Sequence, residues 1–136
     1  MMNDSNLFSL AVVCYLGYGT EKYPRQNQKN LADKFGSGLA SELEPEIKKL
    51  LDELESFKPD LSEHSIAATE VFAKEKLRRK NPSLGEEDID AHWSKYSWLH
   101  TACILAKEEM SRKHPELSEE AIDALEWAFS WWQFHG

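Results

Sequence analysis

Four side chains that can take part in chemistry recur on one face of a predicted helix: His92, Tyr96, His100 and Cys103. Their steps of three and four residues follow the turn of an α-helix, so the side chains share a stripe. Imidazole, phenol and thiol groups can transfer protons or hold a cofactor. One hypothesis is therefore a small enzyme or a cofactor-binding helical protein with a pocket at this stripe. It requires a concave site onto which His92 or His100 opens.

The same stripe does not predict a metal centre. His92 and His100 lie two turns apart, and on a straight helix the rise between them is about 12 Å, too far for both imidazoles to bind one ion. Asp88 and His92 could supply half of a site, but a first-turn carboxylate bonded to an imidazole is the more ordinary interpretation. A hydrogen-bonded core histidine is the more ordinary interpretation of His100 as well. The sequence predicts no metal ligand and no cofactor.

The motifs of known catalytic sites are missing from the sequence. The chain contains no Glu-x-x-His, His-Glu-x-x-His, Cys-x-x-Cys or Gly-x-Ser-x-Gly pattern and no Walker-type run. Gly17 and Gly19 flank Tyr18, but the third glycine and the preceding strand of a dinucleotide loop are lacking. We therefore predict no catalytic residue and favour a function other than catalysis.

The C-terminal segment combines large aromatic side chains with carboxylates. Its candidate interaction residues are Trp127, Trp131, Trp132, Phe134, Glu119, Glu120 and Asp123. Large aromatic residues dominate the binding energy of protein interfaces, and carboxylates steer basic partners. The leading hypothesis is a non-enzymatic protein-binding module, such as an acidic inhibitor or immunity-type partner of a basic protein. A helix buried in the core is the plainer alternative for the aromatic residues.

The overall charge favours a protein partner over a nucleic acid. Asp and Glu total 24 against 16 Lys and Arg, a formal net charge of −8, which repels phosphate backbones. The one basic run consists of Lys74, Lys76, Arg78, Arg79 and Lys80. This run suits a helix C-terminus, and the acidic start of the next helix, at Glu86, makes a DNA-recognition helix a poor fit. Plain solubility explains the negative charge equally well.

No membrane segment is predicted, because the apolar stretch at 7–18 is too short to cross a bilayer. The stretch also lacks the positive start and the cleavage site of a secretory signal. Cys14 and Cys103 both fall among apolar residues, as reduced and buried thiols do. The sequence therefore predicts a cytoplasmic protein without membrane contact.

The apolar patterns place six helices along the chain. They predict an all-α, compact bundle of five or six helices that forms a single domain over 1–136. One opening occurs three times: a Leu before a Ser or Gly cap, and an Ile four residues after the cap. It predicts helix starts at about 62, 86 and 118. The second of these begins a long central helix at about 86–113.

The other helices are bounded less clearly. The first is predicted at 5–16, and the second has Pro24 in its first turn and ends at Phe35. The third is amphipathic over 43–57, with Pro45 in its first turn. The last two helices are apolar on two sides, so the bundle or another chain must cover both sides. A second copy of the chain, forming a homodimer, is one such partner.

An internal similarity links the last two helix starts. Residues 79–98 align without gaps with 112–131, and more than half of the aligned positions are identical. Asp90 matches Asp123, and Trp98 matches Trp131. Two interpretations stay open, a duplicated local unit or the capping residues that many helix starts share.

Overall fold

The structure, a computed structural model, describes residues 4–135 and, among them, the side chains from residue 6 onward. This range contains six α-helices and no strand, which confirms the predicted all-α class. The helices are α1 (Asp4–Leu16), α2 (Gln28–Phe35), α3 (Ser37–Ser56), α4 (Glu63–Lys80), α5 (Glu86–Lys113) and α6 (Glu119–His135). The long helix predicted at 86–113 is α5.

The chain divides into two compact units. The first unit contains α1, α2, α3 and the chain from Ala106 onward, which includes α6. The second unit is Lys58–Leu105, which includes α4 and the greater part of α5. The single domain predicted over 1–136 stays a prediction. None of the helices in the described range combines the length and the apolar character needed to span a bilayer.

Three helices begin where the repeated opening predicts. At the start of α4 the Ser62 Oγ accepts the backbone N–H of Ser65 at 3.3 Å. At the start of α6 the Ser118 Oγ accepts the N–H of Ala121 at 3.1 Å. α5 begins directly after Gly85. Acidic residues occupy the first turn of all three helices, where the helix dipole favours them.

The prediction that α2 begins near Pro24 is wrong, since the helix begins at Gln28. Asn27 is extended and caps the helix, because its side-chain oxygen accepts the N–H of Asn30 at 3.1 Å. The Asn27 N–H in turn donates to the Tyr15 carbonyl in α1 at 3.0 Å. This tertiary bond holds the segment in extended conformation and overrides the local preference of proline for a first helical turn.

The prediction that Pro45 lies in the first turn of α3 is also wrong. α3 begins at Ser37, and Pro45 lies more than two turns inside it. A single residue, Gly36, separates α2 from α3, and its φ of 87° is one that glycine adopts readily. Because proline has no N–H, the Ser41 carbonyl loses its intrahelical partner at this point.

The core of the first unit is built from the buried faces of α1, α3 and α6. Its largest fully buried side chains include Tyr15, Ile47, Leu51, Leu54, Leu125 and Phe129. The Tyr15 hydroxyl donates to Glu44 Oε2 at 2.9 Å, and burial together with this bond raises the pKa of Tyr15. The Ser9 Oγ accepts the N–H of Ser118 at 2.9 Å, which ties α1 to the start of α6. These bonds satisfy polar groups that would otherwise be costly to bury.

The two aligned segments overlap two equivalent turns between consecutive helices. We call them the first corner, 74–90, and the second corner, 107–123. In the first corner the Asn81 N–H donates to the Leu77 carbonyl, and in the second the His114 N–H donates to the Met110 carbonyl, each at 2.9 Å. These two bonds occupy matching positions of the alignment.

The two corners also share an ion pair. Lys74 Nζ lies 2.9 Å from Asp90 Oδ1, and Lys107 Nζ lies 2.9 Å from Asp123 Oδ1. Both lysines lie upstream of the aligned segments, so the likeness extends further than the sequence alignment indicates. Neither lysine belongs to a helix cap. A duplicated local unit therefore accounts for the corners better than shared capping residues do.

α5 departs from helical geometry at Tyr96, where φ is −120° and ψ is 19°. No proline or glycine occurs in α5 to predict a kink. Around it, the buried cluster of the second unit contains Ala73, Trp93 and Ile104, with Ile66 packed against it. The Oγ1 atoms of Thr69 and Thr101 form a buried hydrogen bond at 2.8 Å. This bond ties α4 to the part of α5 that follows Tyr96.

Candidate functional site

The aromatic residues predicted for interaction are partly covered by the loop after α1. Trp127 contacts Tyr18, with ring centroids 5.5 Å apart, and Trp131 stacks on Tyr23 at 5.4 Å. The three tryptophans of α6 are half-buried, whereas Phe134 is 53% exposed. α6 therefore buries one side of its aromatic segment and presents the other to solvent.

Trp132 borders a cavity beside the last turns of α6. The cavity has a volume of about 500 Å³ and is lined by Glu55, Trp131, Trp132, Gln133 and His135. The rings of Trp131 and His135 lie 3.7 Å apart by their centroids. Glu55, at the end of α3, is the one carboxylate of this lining.

The predicted acidic residues lie at the opposite end of α6. Glu119 and Glu120 are exposed in its first turn, and Asp123 is half-buried and accepts a bond from Lys107 at 2.9 Å. At about 1.5 Å per residue, roughly 18 Å of helix separates Glu120 from Trp132. The structure therefore does not bring the carboxylates together with the aromatic residues of the last turns. Trp127, midway along α6, is the aromatic residue nearest to them.

A groove beside the start of α6 joins carboxylates to an aromatic ring. We call this feature, with a volume of about 660 Å³, the Tyr18 groove. Its lining includes Leu10, Val13, Tyr18, the acidic residues Glu21, Asp33 and Glu120, and the basic residue Lys34. The carboxylates come from three separate elements: the loop after α1, α2 and α6.

The environment of Tyr18 is strongly negative. Burial is the largest influence that raises the pKa of Tyr18, followed by the charges of Asp123, Glu126 and Glu120, while Lys107 opposes them. A phenol in such a field stays protonated at neutral pH and keeps its O–H as a donor. The same field favours a positive group that enters the groove.

A glycine in the left-handed conformation positions Tyr18. Gly17 has φ of 78° and follows the last residue of α1. The N–H groups of Gly17 and Tyr18 both donate to the Val13 carbonyl, at 3.0 and 3.1 Å, and so close the end of α1. A Cβ at position 17 would lie 2.3 Å from Glu21 Cγ. Glycine at this position therefore lets both Tyr18 and Glu21 face the groove.

The thiol of Cys14 lies at the edge of the Tyr18 groove. Its Sγ donates to the Asn30 carbonyl at 3.3 Å. Burial raises the pKa of Cys14, the charge of Lys34 opposes this, and the charge of Asp33 adds to it. A thiol held in its protonated form is a poor nucleophile, so its geometry favours a structural role.

The expectation that His92 and His100 lie far apart is wrong. Their Nε2 atoms are 2.8 Å apart and share a hydrogen bond. The straight-helix distance does not apply, because α5 is kinked at Tyr96, between the two histidines. The His92 ring also lies 4.9 Å from the Tyr96 ring, and the His100 ring 6.2 Å from that of Trp93.

The histidine pair requires at least one neutral imidazole, since one Nε2 must accept the hydrogen of the other. Burial, followed by the positive potential of His92, Lys76 and Lys80, lowers the pKa of His100 to about 4. His100 is therefore neutral at pH 7. Cys103, the last residue of the predicted stripe, is half-buried. Over residues 4–135, the structure places no three His, Cys, Asp or Glu side chains together in a manner that would hold a metal ion.

Two of the five cations in the basic run of α4, Lys74 and Arg78, form ion pairs. Lys74 bridges Glu70 at 2.7 Å and Asp90 at 2.9 Å. Arg78 donates two hydrogen bonds to the Glu86 carboxylate, at 2.8 and 2.9 Å. These pairs neutralise much of the charge on which phosphate binding would depend.

Sequence reasoning missed three residues of the Tyr18 groove, namely Tyr18, Glu21 and Asp33. They lie in the loop after α1 and in α2, far in sequence from the carboxylates of α6. The one local signal is the glycine pair that flanks Tyr18, which marks an exposed aromatic turn. Their proximity to Glu120 is a tertiary contact that no local pattern encodes.

No protein-family model matches this chain, and neither a curated protein nor a solved structure matches it.

Proposed function

We propose that this protein is a non-enzymatic protein-binding module whose Tyr18 groove receives a lysine- or arginine-rich segment of a basic partner protein. The observation that carries the proposal is a groove of about 660 Å³ whose lining combines three carboxylates with the ring of Tyr18. An acidic inhibitor or immunity-type protein that covers a basic surface would use such a site.

The groove offers a cationic side chain two kinds of interaction. Glu21, Asp33 and Glu120 can each accept a charge-assisted hydrogen bond from an ammonium or guanidinium group. The ring of Tyr18 can accept the same cation on its face, and Leu10 can contact the aliphatic stem of the side chain. Lys34 also lines the groove, so the binding energy depends on the surplus of negative charge.

The charge of the whole chain favours the same partner. A net charge of −8 attracts basic proteins over long range and speeds their encounter at low salt. Cys14 and Cys103 form no disulfide bond, which is typical of a reducing compartment, and we place the protein in the cytoplasm on this ground.

The test uses a defined probe, a short peptide in which lysine and arginine alternate with leucine. Isothermal titration of the full chain with this peptide should give a dissociation constant that rises with salt concentration. Glu120→Lys should weaken binding by about tenfold, which corresponds to about 1.4 kcal/mol. In a pulldown, a natural partner held by the wild type should be lost with the same variant.

The matched control is Glu46→Lys, which makes the same charge change at an exposed position of α3. It should leave the affinity within about twofold of the wild type, because its charge is screened at distance. Equal weakening by Glu46→Lys and Glu120→Lys would show that net charge alone attracts the peptide. That result, or the lack of any binding, would contradict the proposal.

A further inference from the structure

The outer face of α4 is apolar and exposed. Val71 is 77% exposed and Phe72 is 53% exposed. Ala67 and Ala68, one turn earlier, are exposed as well. Residues at steps of three and four share one side of a helix, so these four side chains form one patch, which we call the α4 patch.

The aligned segment of α5 buries part of the corresponding face. The alignment continues in register upstream of residue 79, so Ala68 corresponds to Thr101 and Val71 corresponds to Ile104. Thr101 is fully buried and Ile104 is 8% exposed. Ile104 belongs to the same buried cluster as Trp93. Two of the four patch positions therefore have buried counterparts in α5, and the other two counterparts, His100 and Leu105, are half-buried.

In the second aligned segment, residues of α4 cover this face. Thr101 is bonded to Thr69 of α4, and Ile104 packs in a cluster with Ala73 of α4. The residue that corresponds to Ala73 is Ala106. An equivalent contact with the α4 patch of another molecule would therefore involve Ala106. Ala106 is only 1% exposed, so another chain cannot contact it. The surface that we consider on a second molecule is its own α4 patch, and this choice requires a two-fold symmetric contact.

The charges of α4 determine the direction of such a contact. Asp60 and Glu63 lie at its start, and Arg79 and Lys80 lie at its end. A two-fold axis perpendicular to α4 near Val71 makes the two helices antiparallel. Each acidic start then lies beside the basic end of the other helix, and opposite charges attract at both ends.

We infer that two molecules of this protein associate through an antiparallel, two-fold pairing of their α4 patches. Phe72 of one molecule packs against Val71 of the other, and the charged ends of the helices fix the register. The Tyr18 groove is built from residues of the first unit and the α4 patch from residues of the second. The pairing therefore stands independently of the proposed binding of a basic segment.

The apolar part of the inference is tested by sedimentation velocity over a range of protein concentrations. The wild type should show a monomer–dimer equilibrium, and Phe72→Glu should raise its dissociation constant at least tenfold. Leu84→Glu is the control, since Leu84 is a large apolar residue that is 40% exposed and lies outside α4. The control should dimerise as the wild type does, and Phe72→Glu should still bind the basic peptide.

The electrostatic part is tested by charge reversal at the same concentrations. Arg79→Glu should weaken the dimer about three- to tenfold, because it places two carboxyl-bearing ends side by side. Lys49→Glu, the same charge change at an exposed residue of α3, should leave the dimer unchanged. A wild type that is monomeric at every concentration would overturn the inference. So would a dimer that Phe72→Glu weakens no more than Leu84→Glu does.

Discussion

At the scale of single residues, the hydrogen bond between His92 and His100 is the most sensitive to pH. The two Nε2 atoms are 2.8 Å apart, and this bond is lost once both imidazoles are protonated. The pKa of His100 in the folded protein is lowered to about 4. The pKa of a histidine in the unfolded chain is higher, near 6.5. The unfolded chain therefore binds more protons between these two values.

This difference predicts that the protein loses stability as pH falls from about 6.5 to about 4. The contribution is complete above the unfolded pKa and is exhausted below the folded one. Because the pair is only partly buried, we expect a loss of about 1–2 kcal/mol after solvent screening. Urea denaturation at several pH values measures the slope.

The variant His100→Asn removes this titration and should flatten the slope between pH 6.5 and 4 relative to the wild type. His64→Asn, at an exposed position of α4, is the matched control and should keep the wild-type slope. Identical slopes for all three proteins would contradict the assignment of the low pKa to His100.

The buried bond between Thr69 and Thr101 makes a second prediction at this scale. The Thr69 hydroxyl donates to the Ile66 carbonyl at 3.1 Å, so it keeps that partner in Thr101→Val. The reverse variant, Thr69→Val, leaves the Thr101 hydroxyl without this bond at 0% exposure. We expect Thr69→Val to cost about 2 kcal/mol of unfolding free energy and Thr101→Val about 1 kcal/mol.

The double variant Thr69→Val with Thr101→Val distinguishes a hydrogen bond from simple packing. Two matched apolar groups leave no unsatisfied hydroxyl, so the double variant should cost less than the sum of the single ones. Chemical denaturation of the wild type, the two single variants and the double variant gives the four unfolding free energies that this comparison needs. Additive costs would show that the two hydroxyls are not coupled.

At the scale of elements, Pro45 in α3 is a local defect that the fold tolerates. It is exposed and leaves the Ser41 carbonyl without an intrahelical partner. Pro45→Ala restores an N–H and a strong helix former, while it also frees the unfolded chain. We expect a net gain of about 1–2 kcal/mol, measured as a higher midpoint of urea denaturation. An unchanged or lower midpoint would mean that the fold requires a kink in α3 at this position.

Local chemistry determines the helix starts that the sequence predicts well. Ser62 and Ser118 cap with their own side chains, so a pattern of a few residues contains the whole interaction. The start of α2 and the kink of α5 are different. Asn27 is held by Tyr15, and Tyr96 departs from helical geometry without a local breaker. Tertiary bonds of this kind lie outside the reach of local patterns.

At the scale of the whole molecule, the carboxylates differ in how far nearby cations neutralise them. Glu70 of α4 and Glu86 and Asp90 of α5 are engaged by Lys74 and Arg78 of α4. The carboxylates around Tyr18 exceed the cations there, and the proposed binding of a basic segment depends on this surplus.

The candidate site was predictable only in part. Glu120 and Trp127 were singled out because acidic and aromatic residues concentrate in α6. Tyr18 completes the site from a loop more than a hundred residues earlier, and its contact with Trp127 arises from packing of α1 against α6. The separation between Glu120 and Trp132 along α6 follows from the rise of the helix. It divides the predicted interaction residues into an acidic group at the start of α6 and an aromatic group at its end.

The most direct test of the binding groove is an amide and indole NMR titration with the alternating lysine, arginine and leucine peptide. The chain contains five tryptophans, so their indole N–H signals form a small and readable set. We predict that the Trp127 indole and the amides of Tyr18, Glu21 and Glu120 shift together, and that the signals of Trp93 and Trp98 stay unchanged. Shifts at other surfaces with the Trp127 indole unmoved, or no shifts at all, would contradict the account.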